Sequence, residues 1–163
     1  MTNQDLEATV NIMNDTFLED VINAHYDQTD ENVEAVNNVI SYRKMIVPLQ
    51  IEIKDYHYAT MLRKTGSLPE DILYNEDYCE IRQFYETFNL SDGLKMSFLV
   101  VLTRASKFDK RMGKVTAMAA MDLREIYERY LEGNDYIGII IIGGDNPYPI
   151  STERIEEILN INK

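Results

Sequence analysis

The chain has two histidines, one cysteine and no tryptophan, so any chemistry it performs must come from few places. His25 ends an acidic stretch beside Asp20 and Asp27, and His57 lies between Tyr56 and Tyr58. A zinc site needs three or four well-placed nitrogen or sulfur ligands. One cysteine and two distant histidines do not supply them, and no metal or cofactor is expected. Cys79 with His57 would make a nucleophile and base. CEIRQF at Cys79 has helical spacing and no oxyanion-hole signal, so it reads as a partly buried structural thiol. Gly143-Gly144-Asp145-Asn146 resembles a phosphate loop, but such a cradle needs successive N–H groups opening a helix. Pro147 and Pro149 remove donors and delay the helix to Ser151. A tight turn is expected, with Asn146 bonded to its own local backbone. Asp27, Asp30 and Glu31 lack the spacing and central glycine of a calcium loop, and capping accounts for them. Glu156 and Glu157 are consecutive on a helix and diverge, so they form no acid–base couple. No catalytic residue is assigned.

What remains is surface. Arg104, Lys107, Lys110, Arg111 and Lys114, with Phe108 among them, form the only basic cluster. Such a run is locally compatible with nucleic acid. Set in an acidic chain, it reads instead as a partner for the acidic N-terminal helices or as the rim of a protein interface. The opposite signal lies at residues 54–94, which are acidic and rich in tyrosine. Tyr56, Tyr58, Tyr74, Tyr78 and Tyr85, together with Glu80, are the candidate partner-binding residues. Tyrosine offers large contact area at low entropic cost and is enriched at interfaces.

The elements that must position these groups follow from periodicity. Leu6, Val10, Met13, Phe17, Val21 and Ile22 recur at three- and four-residue spacing, which predicts helix through Ala24. Thr29 or Asp30 caps a second helix whose apolar side is Val33, Val36, Val39 and Ile40. Met45–Ile53 is a strand in which Pro48 suits an edge or a bulge. Residues 54–94 read as a variable insertion with one helix, Asp77–Phe88, on Tyr78, Ile81, Phe84, Tyr85 and Phe88. Ser97–Thr103 is a buried strand, Lys114–Met118 a further one, and Asp122–Leu131 an amphipathic helix stopped at Gly133. Tyr136–Ile142 is a central strand, and Ser151 caps a last helix, Glu153–Leu159. The alternation predicts a single α+β domain over residues 1–163, a mixed β-sheet flanked by helices with an N-terminal helix pair.

At 163 residues the chain buries enough surface to need no staple. The lone cysteine favours a reducing compartment, and the opening MTNQDLEATVNIMND has neither a basic nor a long apolar stretch. A cytoplasmic protein is expected. The net charge of −12 repels phosphate backbones and anionic membranes. Neither nucleic acid nor membrane is therefore an expected partner, and a basic protein is.

The order of features is familiar. DENVEAVNNVISYRKMIVPL (Asp30–Leu49), DLREIYERYLEGNDYIGIIIIGGDNP (Asp122–Pro147) and the tail helix ISTERIEEIL carry a resemblance to the SseB N-terminal domain family, whose order of elements, with the SFLVVLTR strand (Ser97–Arg104) between them, extends over about two thirds of the chain. Asn146-Pro147 matches that family's turn. Thr103 is followed by Arg104-Ala105-Ser106 where members often carry a threonine-aspartate turn. The resemblance implies an interaction module without established enzymatic activity, in some members tied to secretion systems or to immunity against secreted toxins. The expected function is a non-enzymatic, protein-binding immunity or accessory protein. Alternatives are a small enzyme with a carboxylate and tyrosine site, marked by a pocketed carboxylate of strongly raised pKa, and a homodimer joined through a sheet edge.

Overall fold

Strands rich in Ile, Val, Leu and Met alternate along the chain with short capped helices, and a computed structural model shows how they assemble. It describes residues 15–109, 111, 113 and 117–161. The stripe Leu6, Val10 and Met13, the basic residues Lys110 and Lys114, and the first part of the strand expected from Lys114 lie outside the described residues.

The architecture is α+β, with a seven-stranded mixed sheet and a helix pair at the N-terminal side. Helix α1 (Phe17–Ala24) buries Leu18 and Ile22. Helix α2 (Asp30–Ile40) starts where the Thr29 hydroxyl accepts the Asn32 N–H at 3.4 Å, and buries Val36, Val39 and Ile40. Strand β1 (Met45–Ile53) follows, then α3 (Tyr56–Thr65) and the single turn α4 (Glu70–Leu73). Strands β2 (Cys79–Gln83), β3 (Tyr85–Asn89) and β4 (Lys95–Leu102) come next. A 3₁₀ turn at Ala105–Lys107 leads toward β5 (Ala117–Met121). Helix α5 (Leu123–Ile126) is capped by Asp122, which accepts the Glu125 N–H at 2.9 Å, and passes into a π turn at Tyr127–Leu131. Strands β6 (Gly138–Ile142) and β7 (Tyr148–Ser151) precede α6 (Thr152–Ile158), capped by Ser151.

Strand residues alternate between two cores. Met45, Val47, Leu49, Leu99, Val101, Ile139 and Ile141 face the layer of α1, α2, α5 and α6. Ile46, Phe98, Val100, Leu102 and Ile140 face the other way, where Phe84 and Phe108 pack edge to face at 4.9 Å. β4 and β6 are parallel, joined by the crossover through β5 and α5, and both are buried nearly throughout, as a central parallel pair requires.

The sheet is split. β1 and β4 align only at Ile46↔Leu102. Further along, β1 pairs antiparallel with β2 (Leu49↔Gln83 to Ile53↔Cys79), while β4 pairs antiparallel with β3 (Tyr85↔Leu99 to Asn89↔Lys95). The chain therefore reverses at Phe84, and β2 and β3 part from that point without pairing. Pro48 helps to encode this. The bond from Lys54 N–H to Tyr78 C=O fixes the phase of the β1–β2 ladder, so Gln50 and Glu52 bond toward β2. Pro48 faces the same side, and its missing N–H falls where β1 leaves β4. At that point the Phe84 carbonyl accepts from Val100 instead, at 2.9 Å.

Several expectations are corrected. Asp77–Phe88 is not a helix but the two strands β2 and β3, and the helices of this region are α3, opened by Asp55 and closed by Gly66 at φ 77°, and the single turn α4. Pro48 stands neither at an edge nor in a bulge; β1 lies between β5 and its other neighbours. Between the expected turn at Gly143–Pro147 and the helix capped by Ser151, no element was expected at Tyr148–Ser151, where β7 lies. It is an edge strand, and Pro149 is tolerated there opposite Ile140.

Candidate partner-binding notch

Residues 79–89 frame an open region of the sheet. In the β3–β4 ladder the bonds Val100 N–H to Phe84 C=O and Leu90 N–H to Leu94 C=O set the phase. Glu86 and Phe88 therefore bond to β4, and Tyr85, Thr87 and Asn89 turn their backbone groups outward. By the same alternation Cys79, Ile81 and Gln83 turn theirs away from β1. The Cys79 N–H is taken by Asn75 C=O at 2.9 Å. The outward groups of Ile81, Gln83, Tyr85, Thr87 and Asn89 have no partner among the described residues. Two unpaired strand edges thus face each other across a notch.

Three hollows surround it, and Gln83 lines all of them. On the helix side, one of about 360 Å³ lies between Leu73, Tyr74 and Glu76 on one wall and Arg129 and Tyr130 on the other, floored by Cys79 and Ile81. A second, of about 400 Å³, is bounded by Tyr85, Ser97, Asn134, Asp135 and Tyr136. A third, of about 570 Å³, opens between Arg82 and Glu86 around Phe84.

The sequence-predicted tyrosines fall in three places. Tyr74 and Tyr85 belong to the notch, 55% and 58% exposed. Arg129 sits over the Tyr74 ring with its guanidinium carbon 5.4 Å from the centroid, and Tyr85 tilts against Tyr136 at 6.4 Å. Tyr58 and Tyr78 instead meet edge to face at 5.0 Å, half-buried, and tie α3 to the turn before β2. Tyr56 is 80% exposed at the start of α3, apart from the hollows. Glu80 stands directly opposite Glu52, a like-charge pair that would repel. Arg82 relieves it, 3.1 Å from Glu80 and 3.8 Å from Glu52. That guanidinium holds the Glu80 carboxyl below its usual range.

Sequence reasoning missed Phe88, Leu90 and Leu94, all at least 40% exposed around the tip of the β3–β4 hairpin. Apolar residues clustered beside a turn signal, Ser91-Asp92-Gly93, were the signal available. It also missed Gln83, Arg129 and Tyr136. Burial pushes the Tyr130 and Tyr136 hydroxyls up, with Tyr74 and Tyr85 respectively adding to the effect. Burial likewise raises the Cys79 thiol, which is 3% exposed and therefore a poor nucleophile.

Asn146 and Pro147 lie elsewhere and are exposed. The turn they occupy is held from α1: Asn23 accepts the Asp145 N–H at 2.8 Å, and the Tyr26 hydroxyl donates to Pro147 C=O at 3.2 Å. Asn146 was expected to bond its own backbone, and among the described residues its side chain makes no such bond. His25 bonds Val21 C=O at 2.9 Å, and His57 packs against Tyr58. Among the described residues, no three acidic, histidine or cysteine groups converge on a common point, and no helix is long and apolar enough to cross a membrane.

No family model matches the chain, and neither does any curated protein or solved structure.

Proposed function

We infer that this chain is a non-enzymatic binding module for a basic protein partner in the cytosol, in the manner that its likeness to the SseB-like domain implies for an immunity or accessory protein. The observation that carries this reading is the open notch, where exposed aromatic and aliphatic side chains (Tyr74, Tyr85, Phe88, Leu94) border unpaired backbone. Large apolar groups at the surface in one region mark contact sites more reliably than scattered ones. The local charge agrees. Residues 54–92 hold eight acids and four bases, a net −4, within a chain of net −12.

Each carboxylate whose pKa is displaced among the described residues moves downward: Asp15, Glu19, Glu80 and Asp109. A general acid working near neutrality requires the opposite displacement.

The test is cross-linking in the source cytosol, with partners identified by mass spectrometry, using wild type and a Tyr74→Ser/Tyr85→Ser double variant. The expected result is a basic protein joined to wild type and lost from the variant. Identical partners on both, or turnover of a small substrate abolished by one buried substitution, would overturn the reading.

A further inference from the structure

We propose that the notch takes its partner as an extended strand: one segment of a basic protein pairs antiparallel with the free edge of β3, filling the gap between β3 and β2. This deepens the partner-binding reading and rests on it. Strand addition needs a row of unpaired N–H and C=O groups for affinity and distinct surroundings for alternate side chains for specificity. β3 supplies both. Tyr85, Thr87 and Asn89 present their backbone groups to the notch, while Tyr85 stands on the helix side and Phe88 on the other.

The space is built into the sheet. Because β2 and β3 run in opposite directions from Phe84, a segment antiparallel to β3 lies parallel to β2 and can also reach the groups of Ile81 and Gln83. The hollow of about 570 Å³ between Arg82 and Glu86 is the start of that gap. Antiparallel pairing with β3 is the stronger of the two arrangements. The edge strand β7 is blunted by contrast, since Pro149 stands within it.

Charge chooses the occupant. Glu86 borders the gap on one face and Asp135 on the other, while Arg82, which shares the hollow with Glu86, is already paired with Glu80 and Glu52. A second copy of this chain would bring another −12, whereas a segment alternating lysine or arginine with aliphatic residues matches the acids and covers Tyr85 and Phe88.

The test uses the full chain and a displayed library of random twelve-residue peptides, with the strongest binder then synthesised. The binder is expected to alternate basic and aliphatic residues and to slow hydrogen exchange at the Tyr85, Thr87 and Asn89 amides. N-methylation of its alternate nitrogens should weaken binding about tenfold for each bond removed in one phase and little in the other. Thr87→Pro removes one outward donor of β3 and should weaken binding by a similar factor. Unchanged exchange at β4 amides would show that Thr87→Pro folds, and the peptide modification reads the same bonds without any change to the protein.

Binding that survives N-methylation in both phases but is lost in Tyr74→Ser/Tyr85→Ser overturns strand addition and leaves the partner-binding reading standing. Slowing of the three amides with rising protein concentration and no peptide assigns the edge to a second copy and overturns the proposal. A binder that protects other strands overturns it as well. Failure to select any peptide that contacts the notch overturns both readings.

Discussion

Glu19 shows how one side chain can anchor the helix layer to the sheet. It is 6% exposed, and its Oε1 accepts from the Thr103 hydroxyl at 2.7 Å and from Arg104 Nε at 2.6 Å. Burial pushes its carboxyl up, but those hydrogen bonds and the Arg104 charge outweigh burial, and the pKa falls below the usual range. A group depressed in the folded state stabilises fully above its unfolded pKa, and that contribution is lost as pH falls through the folded value. Glu19→Gln should therefore cost about 2 kcal/mol at pH 7 by urea denaturation, and the gap from wild type should close below about pH 4. A gap that stays constant down to pH 3 would mean that packing, not charge, is what the substitution removes. The neighbouring Gly143 has φ 147°, and a Cβ there would overlap Thr103 Oγ1. Gly143→Ala should accordingly cost at least about 2 kcal/mol by the same assay. The pairing was partly legible. A basic cluster after β4 facing acidic N-terminal helices predicts an ion pair of the Arg104–Glu19 kind. The burial of Glu19 was not legible, because an acid in an acidic helix looks like any solvated one.

At the scale of elements, the strands of the sheet's centre were readable because burial on both faces leaves uninterrupted runs such as SFLVVL and IGIIII. The stretch 77–88 was not, and the reason is geometric. Ile81 and Tyr85 lie on the helix side of the sheet, whereas Phe84 and Phe88 lie on the other. Two short strands joined by a reversal at Phe84 thus put large residues at three- and four-residue spacing, which imitates a helix. Only the register with β1 and β4, and Pro48 at the parting point, resolves the ambiguity, and both are non-local. The true helix α3 buries no residue, and its half-buried stripe of Tyr58, Met61 and Leu62 is too short to stand out in the sequence. Its shallow packing has a consequence for dynamics. Helices held by few buried contacts open locally at low free energy. Native-state hydrogen exchange should find the α3 amides opening independently of the global transition, while those of α2 and β4 exchange only near it. Protection of α3 equal to that of β4 would contradict this.

For the molecule as a whole, the proposed binding of a basic partner would have charge and shape act at different stages. The −12 field reaches about 8 Å at physiological salt before screening dominates, so it acts chiefly on approach. Unpaired edges and exposed aromatics act only after contact. The split sheet places both on one region, because the same residues 54–94 that carry acids and tyrosines also supply β2 and β3. Association with a basic partner should therefore be fast at low salt. Raising ionic strength from about 50 to 300 mM should lower the association rate roughly tenfold, within the range for steered encounters. Dissociation should change far less, since backbone pairing and apolar contact at the notch are weakly sensitive to salt. Stopped-flow or surface-binding kinetics on the cross-linked partner, expressed alone, would separate the two. A salt effect confined to dissociation would place the acids inside the contact as desolvated pairs, and the notch would then owe its affinity to charge rather than to its strand edge.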